Sequence, residues 1–124
     1  MSNKVVNLKK KYSLFSDHWS PKVVGTLNGQ HVKLAKVSGE LVWHDHAEED
    51  ELFLVQKGTF YLDFRDGSTV TLTEGEFYIV PKGVEHRPYT DEGEEAWILL
   101  LEPATTKHTG EVMDDKTQTE LQYL

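Results

Sequence analysis

The apolar positions of this 124-residue chain change period at Pro21. Before it, Val5, Leu8, Tyr12 and Phe15 recur at helical spacing with Lys9, Lys10 and Lys11 between them, which predicts a short amphipathic helix within residues 5–15 whose stripe rests on the domain or on a second subunit. After it come short runs rich in β-branched and aromatic residues, at 22–27, 30–37, 40–46, 52–56, 59–65, 68–73, 77–80, 86–90 and 96–101, with no helical stretch among them. Asn28-Gly29 and Asp66-Gly67 supply the positive φ angles of tight hairpin turns. Closely spaced antiparallel strands without crossover helices must close on themselves to protect their edges, as in a barrel, a sandwich or an eight-stranded jelly roll. The fold class expected is therefore all-β with a short N-terminal helix. Beyond Glu102-Pro103 the chain turns polar, and residues 115–124 fit either a helical turn or two or an arm laid over a neighbour.

Composition narrows the partners. A chain of this length holds one hydrophobic core, divided here into an N-terminal helical segment (1–21), a barrel (22–102) and a C-terminal arm (103–124). Its net charge of −8 comes from 21 acidic against 13 basic side chains, and its two arginines are Arg65 and Arg87. A surface that neutralises phosphates needs a basic patch, so no nucleic-acid partner is expected. No apolar run is long enough to span a bilayer and the N-terminus has no signal-peptide core, so no membrane partner is expected and the cytoplasm is the expected location. With no cysteine, thiolate chemistry and disulfides are excluded, and any metal site must use nitrogen and oxygen donors.

Such donors are present. Residues two apart on a strand point to the same side, so His44 and His46 share a space that Asp45 avoids. Glu51 opens the next strand after the turn 47–50, where an antiparallel partner can return its carboxylate to the histidine pair. His86 follows the turn 81–85 and completes a set of four. The residues between Gly58 and Gly75 suffice for one hairpin, which sets the two halves of the constellation side by side. Three imidazoles and a carboxylate inside an apolar barrel are costly unless a cation pairs them. His18, His31 and His108 lack such spacing and read as surface residues.

Gly39, His44-Asp45-His46, Glu51 and Gly58 resemble the first motif of the cupin superfamily, and Gly75, Pro81, Gly83 and His86 resemble its second. Gly39 stands one residue nearer the histidines than in the family pattern, and Thr90 stands where the family often has Asn. The resemblance implies a small double-stranded β-helix, or jelly-roll, barrel with a cation held by His44, His46, Glu51 and His86, and a homodimer. The chain is also similar to stand-alone bacterial cupins often labelled after mannose-6-phosphate isomerase. Four ligands on an ion that accepts six leave two positions for substrate or dioxygen, and Fe, Mn, Ni, Co and Zn all suit this donor set. Three functions are open: metal-dependent isomerase or lyase chemistry on a small sugar-type molecule, an iron-dependent dioxygenase, or a non-catalytic small-molecule binder. Arg87 should face away from the barrel interior, which leaves Val42, Phe53, Val55, Phe60, Leu62 and Phe64 as expected pocket-lining residues and favours a small, uncharged or partly apolar ligand.

Overall fold

The computed structural model describes residues 4–106, 109–110 and 120–124. Among the described residues, one short helix, α1 (Leu8–Tyr12), precedes nine strands: β1 (Lys22–Leu27), β2 (Gln30–Ser38), β3 (Glu51–Lys57), β4 (Phe60–Phe64), β5 (Thr69–Leu72), β6 (Phe77–Val80), β7 (His86–Tyr89), β8 (Glu95–Pro103) and β9 (Gln122–Tyr123). They form a six-stranded sheet in the order β6-β3-β8-β2-β1-β9 and a three-stranded sheet in the order β5-β4-β7. Alternation places Phe53 and Val55 of β3, Phe60 and Leu62 of β4, Ala35 and Val37 of β2 and Ile98 and Leu100 of β8 in one core between the sheets.

Both expected hairpins form. Asn28 and Gly29 carry φ angles of 49° and 76°, and β1 pairs with β2 on either side of them. Gly67, with φ of 89°, turns β4 back onto β5.

Three expectations are modified. Residues 40–46 make two isolated bridges to the β7 strand and its end, Glu40 with Tyr89 and His44 with His86, instead of a continuous strand. Pro88 explains the break, because its carbonyl accepts the Leu41 N–H at 2.9 Å while it has no N–H to return. Helix α1 is shorter than residues 5–15. Val5 is 96% exposed, and the anchor is Tyr12, whose ring stacks on Trp97 at 4.8 Å and whose hydroxyl donates to the Ile98 carbonyl and also contacts the Gln56 side chain. At the other end, Gln122 and Tyr123 run parallel to Lys22 and Val23 along the sheet edge, in place of a helical turn. Residues 115–119 lie outside the described residues.

Candidate metal centre

His44 and His86 face each other across a two-way backbone pair: the His44 N–H donates to the His86 carbonyl at 3.0 Å, and the His86 N–H donates to the His44 carbonyl at 2.9 Å. The Gly83 N–H holds the His46 carbonyl at 2.8 Å, so the turn before β7 fixes the second histidine. Glu51 comes from the other sheet, at the first position of β3 between Val80 of β6 and β8. Thus the histidine segment meets β7 and not β3, and closure of the two sheets delivers the carboxylate.

The result is one buried cluster. His44, His46, Glu51 and His86 are each under 5% exposed, and one nitrogen or oxygen atom from each lies within 4.8 Å of the others. Donors about 2.1 Å from a common ion can stand up to about 4.2 Å apart, so a small inward adjustment would bring all four onto one cation.

The backbone also sets the tautomers. The Nδ1 atoms of His44 and His86 lie 2.8 and 2.9 Å from the carbonyls of Val42 and Val84. A carbonyl only accepts, so Nδ1 carries the proton in both rings, and Nε2 of each neutral ring is left with a lone pair. Glu51 Oε1 lies 3.2 Å from His46 Nε2 and 3.6 Å from His86 Nε2, but without the alignment of a hydrogen bond: His46 Nε2, His86 Nε2 and Glu51 Oε1 are all buried and unpartnered. Buried donor atoms that converge on one point without hydrogen-bond partners fit a metal site.

Burial, and then the charge of His86, pulls the His44 pKa down to about 4. Burial acts the same way on His46, but the Glu51 contact and the charges of Glu51, Glu49 and Asp45 outweigh it and raise its pKa. Glu51 is pushed upward by burial, yet contacts with Glu102, His46 and His86 hold it well below the usual carboxylate range. Glu102 goes the other way, raised by burial and by the Glu51 carboxylate against the opposing pull of Lys33. Of the two touching carboxyls, Glu51 is the ionised one.

Glu102 and Lys33 are buried neighbours of the cluster that sequence reasoning left unassigned. Lys33 Nζ donates to Glu102 Oε1 at 2.9 Å, with both side chains under 5% exposed. Strand parity could have found them, since Lys33 alternates with Ala35 and Val37, and Glu102 with Ile98 and Leu100. The same parity buries His31, which is 7% exposed beside the Tyr123 ring and not at the surface. His18 is exposed and paired with Glu95 at 2.6 Å, and His108 lies outside the described residues. Arg87 faces outward to Asp63 and Glu40.

A chamber of about 20 Å³ adjoins His44 and Glu51. Its other walls are apolar, chiefly Trp19, Val37, Leu41, Phe53, Ile98 and Leu100. Of the six residues expected to line a pocket, Phe53 does so. Val55, Phe60 and Leu62 are in the core, and Val42 and Phe64 pack against it, none of them on the chamber wall. Trp19 was the largest omission. It precedes β1 in the chain, has a φ of 57°, and is fixed by its N–H to the Lys36 carbonyl at 3.0 Å and its indole N–H to the Ser38 carbonyl at 2.8 Å. A bulky residue in the left-handed region costs about 1–3 kcal/mol, which the surrounding contacts must offset.

A two-sheet jelly roll with a buried His-His-Glu-His cluster fits the cupin architecture that the sequence motifs resemble. The Cupin domain profile matches residues 30–102, and the chain belongs to that family. It is similar to a cupin-2 domain containing protein from Shewanella frigidimarina, with 49% identity and a TM-score of 0.77 over 80% of this chain and 94% of that one. It is also similar to protein NMB1881 from Neisseria meningitidis, with 32% identity and a TM-score of 0.73 over 82% of this chain and all of that one. The uncharacterized protein YdbB of Bacillus subtilis is 36% identical over 80 residues, which span 64% of this chain and 65% of YdbB's own length. None of these three descriptions states an activity. The cluster fits a metal site, and no described helix is long and apolar enough to cross a membrane.

Proposed function

We propose that this cupin holds one divalent transition metal ion through Nε2 of His44, His46 and His86 and a carboxylate oxygen of Glu51, and acts on a small molecule that enters the adjoining chamber. The observation that carries this reading is the set of buried donor atoms left without partners at one point. Fe, Mn, Ni, Co and Zn all suit the three-nitrogen, one-oxygen set. When bound, such an ion supplies Lewis acidity and, for iron, oxygen chemistry. The chain's own contribution is to orient the rings through the Val42 and Val84 carbonyls, to keep Glu51 anionic beside Glu102, and to exclude water with apolar walls.

The lining ranks the reaction classes. Isomerase or lyase chemistry on a sugar needs a side chain, other than the metal ligands, that moves a proton at the substrate. Among the described residues that line the chamber, the ionisable ones are His44 and Glu51, both assigned to the metal. An iron-dependent dioxygenase, in which the ion itself is the reactive centre, therefore suits the chamber better. Non-catalytic binding at the ion is the remaining alternative.

The test is elemental analysis of untagged protein, paired with His86→Ala. About one equivalent of metal in the parent and little in the folded variant is expected, with oxygen uptake by the iron-loaded parent on turnover. Equal metal content in the two proteins would overturn the ligand assignment.

We infer further that two copies associate through the outer face of the six-stranded sheet. Leu54 lies between Phe77 and Leu99, and Leu52 between Ile79 and Leu101, forming two apolar rows across β6, β3 and β8. Phe77 and Ile79 are 59% and 48% exposed. For a chain of net charge −8, these uncharged rows are where two copies can meet without repulsion.

A further inference from the structure

The chamber beside the proposed metal is walled in part by a large residue that belongs to no strand. β1 begins at Lys22, opposite Leu34, so the rest of β2 toward Ser38 would have a free edge on that side. Residues 18 and 19 occupy it. His18 bridges to Lys36 in parallel, Trp19 follows, and the indole is turned inward to 6% exposure, where it forms part of the chamber wall with Leu41. The backbone conformation needed to turn it inward, with a φ of 57°, is one that bulky side chains rarely adopt. Two hydrogen bonds, to the Lys36 and Ser38 carbonyls, hold the residue at both its backbone and its ring tip.

We propose that Trp19 is a specificity-determining residue that sets the length of the chamber, and that the ligand is a small uncharged molecule presenting oxygen at one end only and hydrocarbon to the Trp19 wall. The proposal rests on the metal reading above, because the ion is what the oxygen end would meet.

Three observations converge on that ligand. First, the chamber's polar groups, His44 and Glu51, sit at one place, while the remaining walls are apolar. A hydroxyl elsewhere on the ligand would be desolvated without a partner, a penalty that a polyhydroxylated sugar would meet several times over. Second, beyond the ion itself, no lysine or arginine among the described residues lines the chamber to pair with a phosphate. Lys33 is held by the Glu102 carboxyl at 2.9 Å and does not line the chamber, while Arg65 pairs with Glu85 and Arg87 with Asp63 and Glu40 on the outside. Third, the chamber has room for about one water while Trp19 stays in place, so any organic ligand must press against the indole. A single ring or a short chain requires the indole edge to yield, whereas a fused pair of rings requires the whole indole to leave its two hydrogen-bond anchors, which is the larger cost.

The experiment is calorimetric titration of cobalt-loaded protein with phenol, 2-naphthol and mannose 6-phosphate, in the parent, Trp19→Ala and Trp19→Phe, after cobalt stoichiometry has been measured in each. In the parent, phenol is expected to bind about tenfold or more tighter than 2-naphthol, and mannose 6-phosphate not to bind. Trp19→Ala should reverse the order of the two phenols at unchanged cobalt content. If that variant does not fold, Trp19→Phe, which keeps a ring but shortens the wall, should narrow the preference about threefold or more. Binding of mannose 6-phosphate without phenol overturns the ligand class. An unchanged preference in a folded Trp19 variant overturns the role of Trp19. Failure to take up cobalt defeats the metal reading instead, and the same titrations on metal-free protein then still report on the chamber wall.

Discussion

Single atoms decide whether the centre can exist. The two carbonyls that receive Nδ1–H of His44 and His86 make the opposite ring nitrogens available without any titration, and such orienting partners matter to a metal site nearly as much as the ligands. Glycines do comparable work at close approaches. A Cβ on Gly110 would stand 1.9 Å from the Asp45 carbonyl oxygen, so residues 109–110 lie directly against the backbone between His44 and His46. Gly58 has a φ of 82° and leaves room for only 2.5 Å between a Cβ and the Glu95 carbonyl oxygen, which is backbone and cannot swing away. Gly58→Ala is therefore expected to lower stability by about 2–4 kcal/mol, read as a shift in the urea midpoint, because strain in φ and the clash add. A midpoint within error of the parent would mean that the close approach of β3's end to β8 is not rigid. Gly58 and Gly75 bracket the hairpin that separates the two halves of the constellation. Their spacing was readable in the chain, whereas Gly110 reaches Asp45 across more than sixty residues and left no local signal.

Element by element, the sequence was most informative where periodicity and turn chemistry agreed. The Asn28-Gly29 and Asp66-Gly67 hairpins and the strands flanking them follow directly from residue types that tolerate positive φ between alternating apolar runs. It was least informative where an element depends on its partner. Residues 40–46 alternate like a strand, but their ladder is interrupted by Pro88 on the facing strand, and β9 exists because β1 offers it an edge. Sheet faces are of the same kind: the parity that sends Leu52, Leu54, Leu99 and Leu101 outward is legible, but the rows they form across three strands follow from register. If those rows join two copies, Leu101→Glu should convert a dimer to a monomer in sedimentation velocity without loss of β-sheet circular dichroism, since a buried unpaired charge at an interface costs several kcal/mol. A parent that sediments as a monomer at high concentration would rule the interface out.

At the scale of the molecule, the centre links protonation to both folding and metal retention. His44 stays neutral in the folded chain down to about pH 4, while the unfolded chain takes a proton near 6.5. The unfolded state thus binds more protons in that interval, and the metal-free fold should lose about 3 kcal/mol from His44 as pH falls from 6.5 to 4. His46, whose pKa is raised by its acidic neighbours, acts in the opposite sense above 6.5, and it must shed its proton to serve as a ligand. Metal challenged with a chelator should therefore be retained at pH 8 and lost progressively below about 6.5, as measured by elemental analysis after gel filtration. Retention at pH 5 would show that His46 is not among the donors. The sequence by itself determined the all-β class, the hairpins and the four side chains of the cluster, because those depend on period-two alternation, turn residues and donor type, which are local properties. Only the tertiary structure decided that Glu51 arrives from the second sheet, that Lys33 and Glu102 stand behind it, and that Trp19 rather than Val42 or Phe64 walls the chamber. Those relations are set by how two sheets close on each other, and closure brings together residues far apart in the chain.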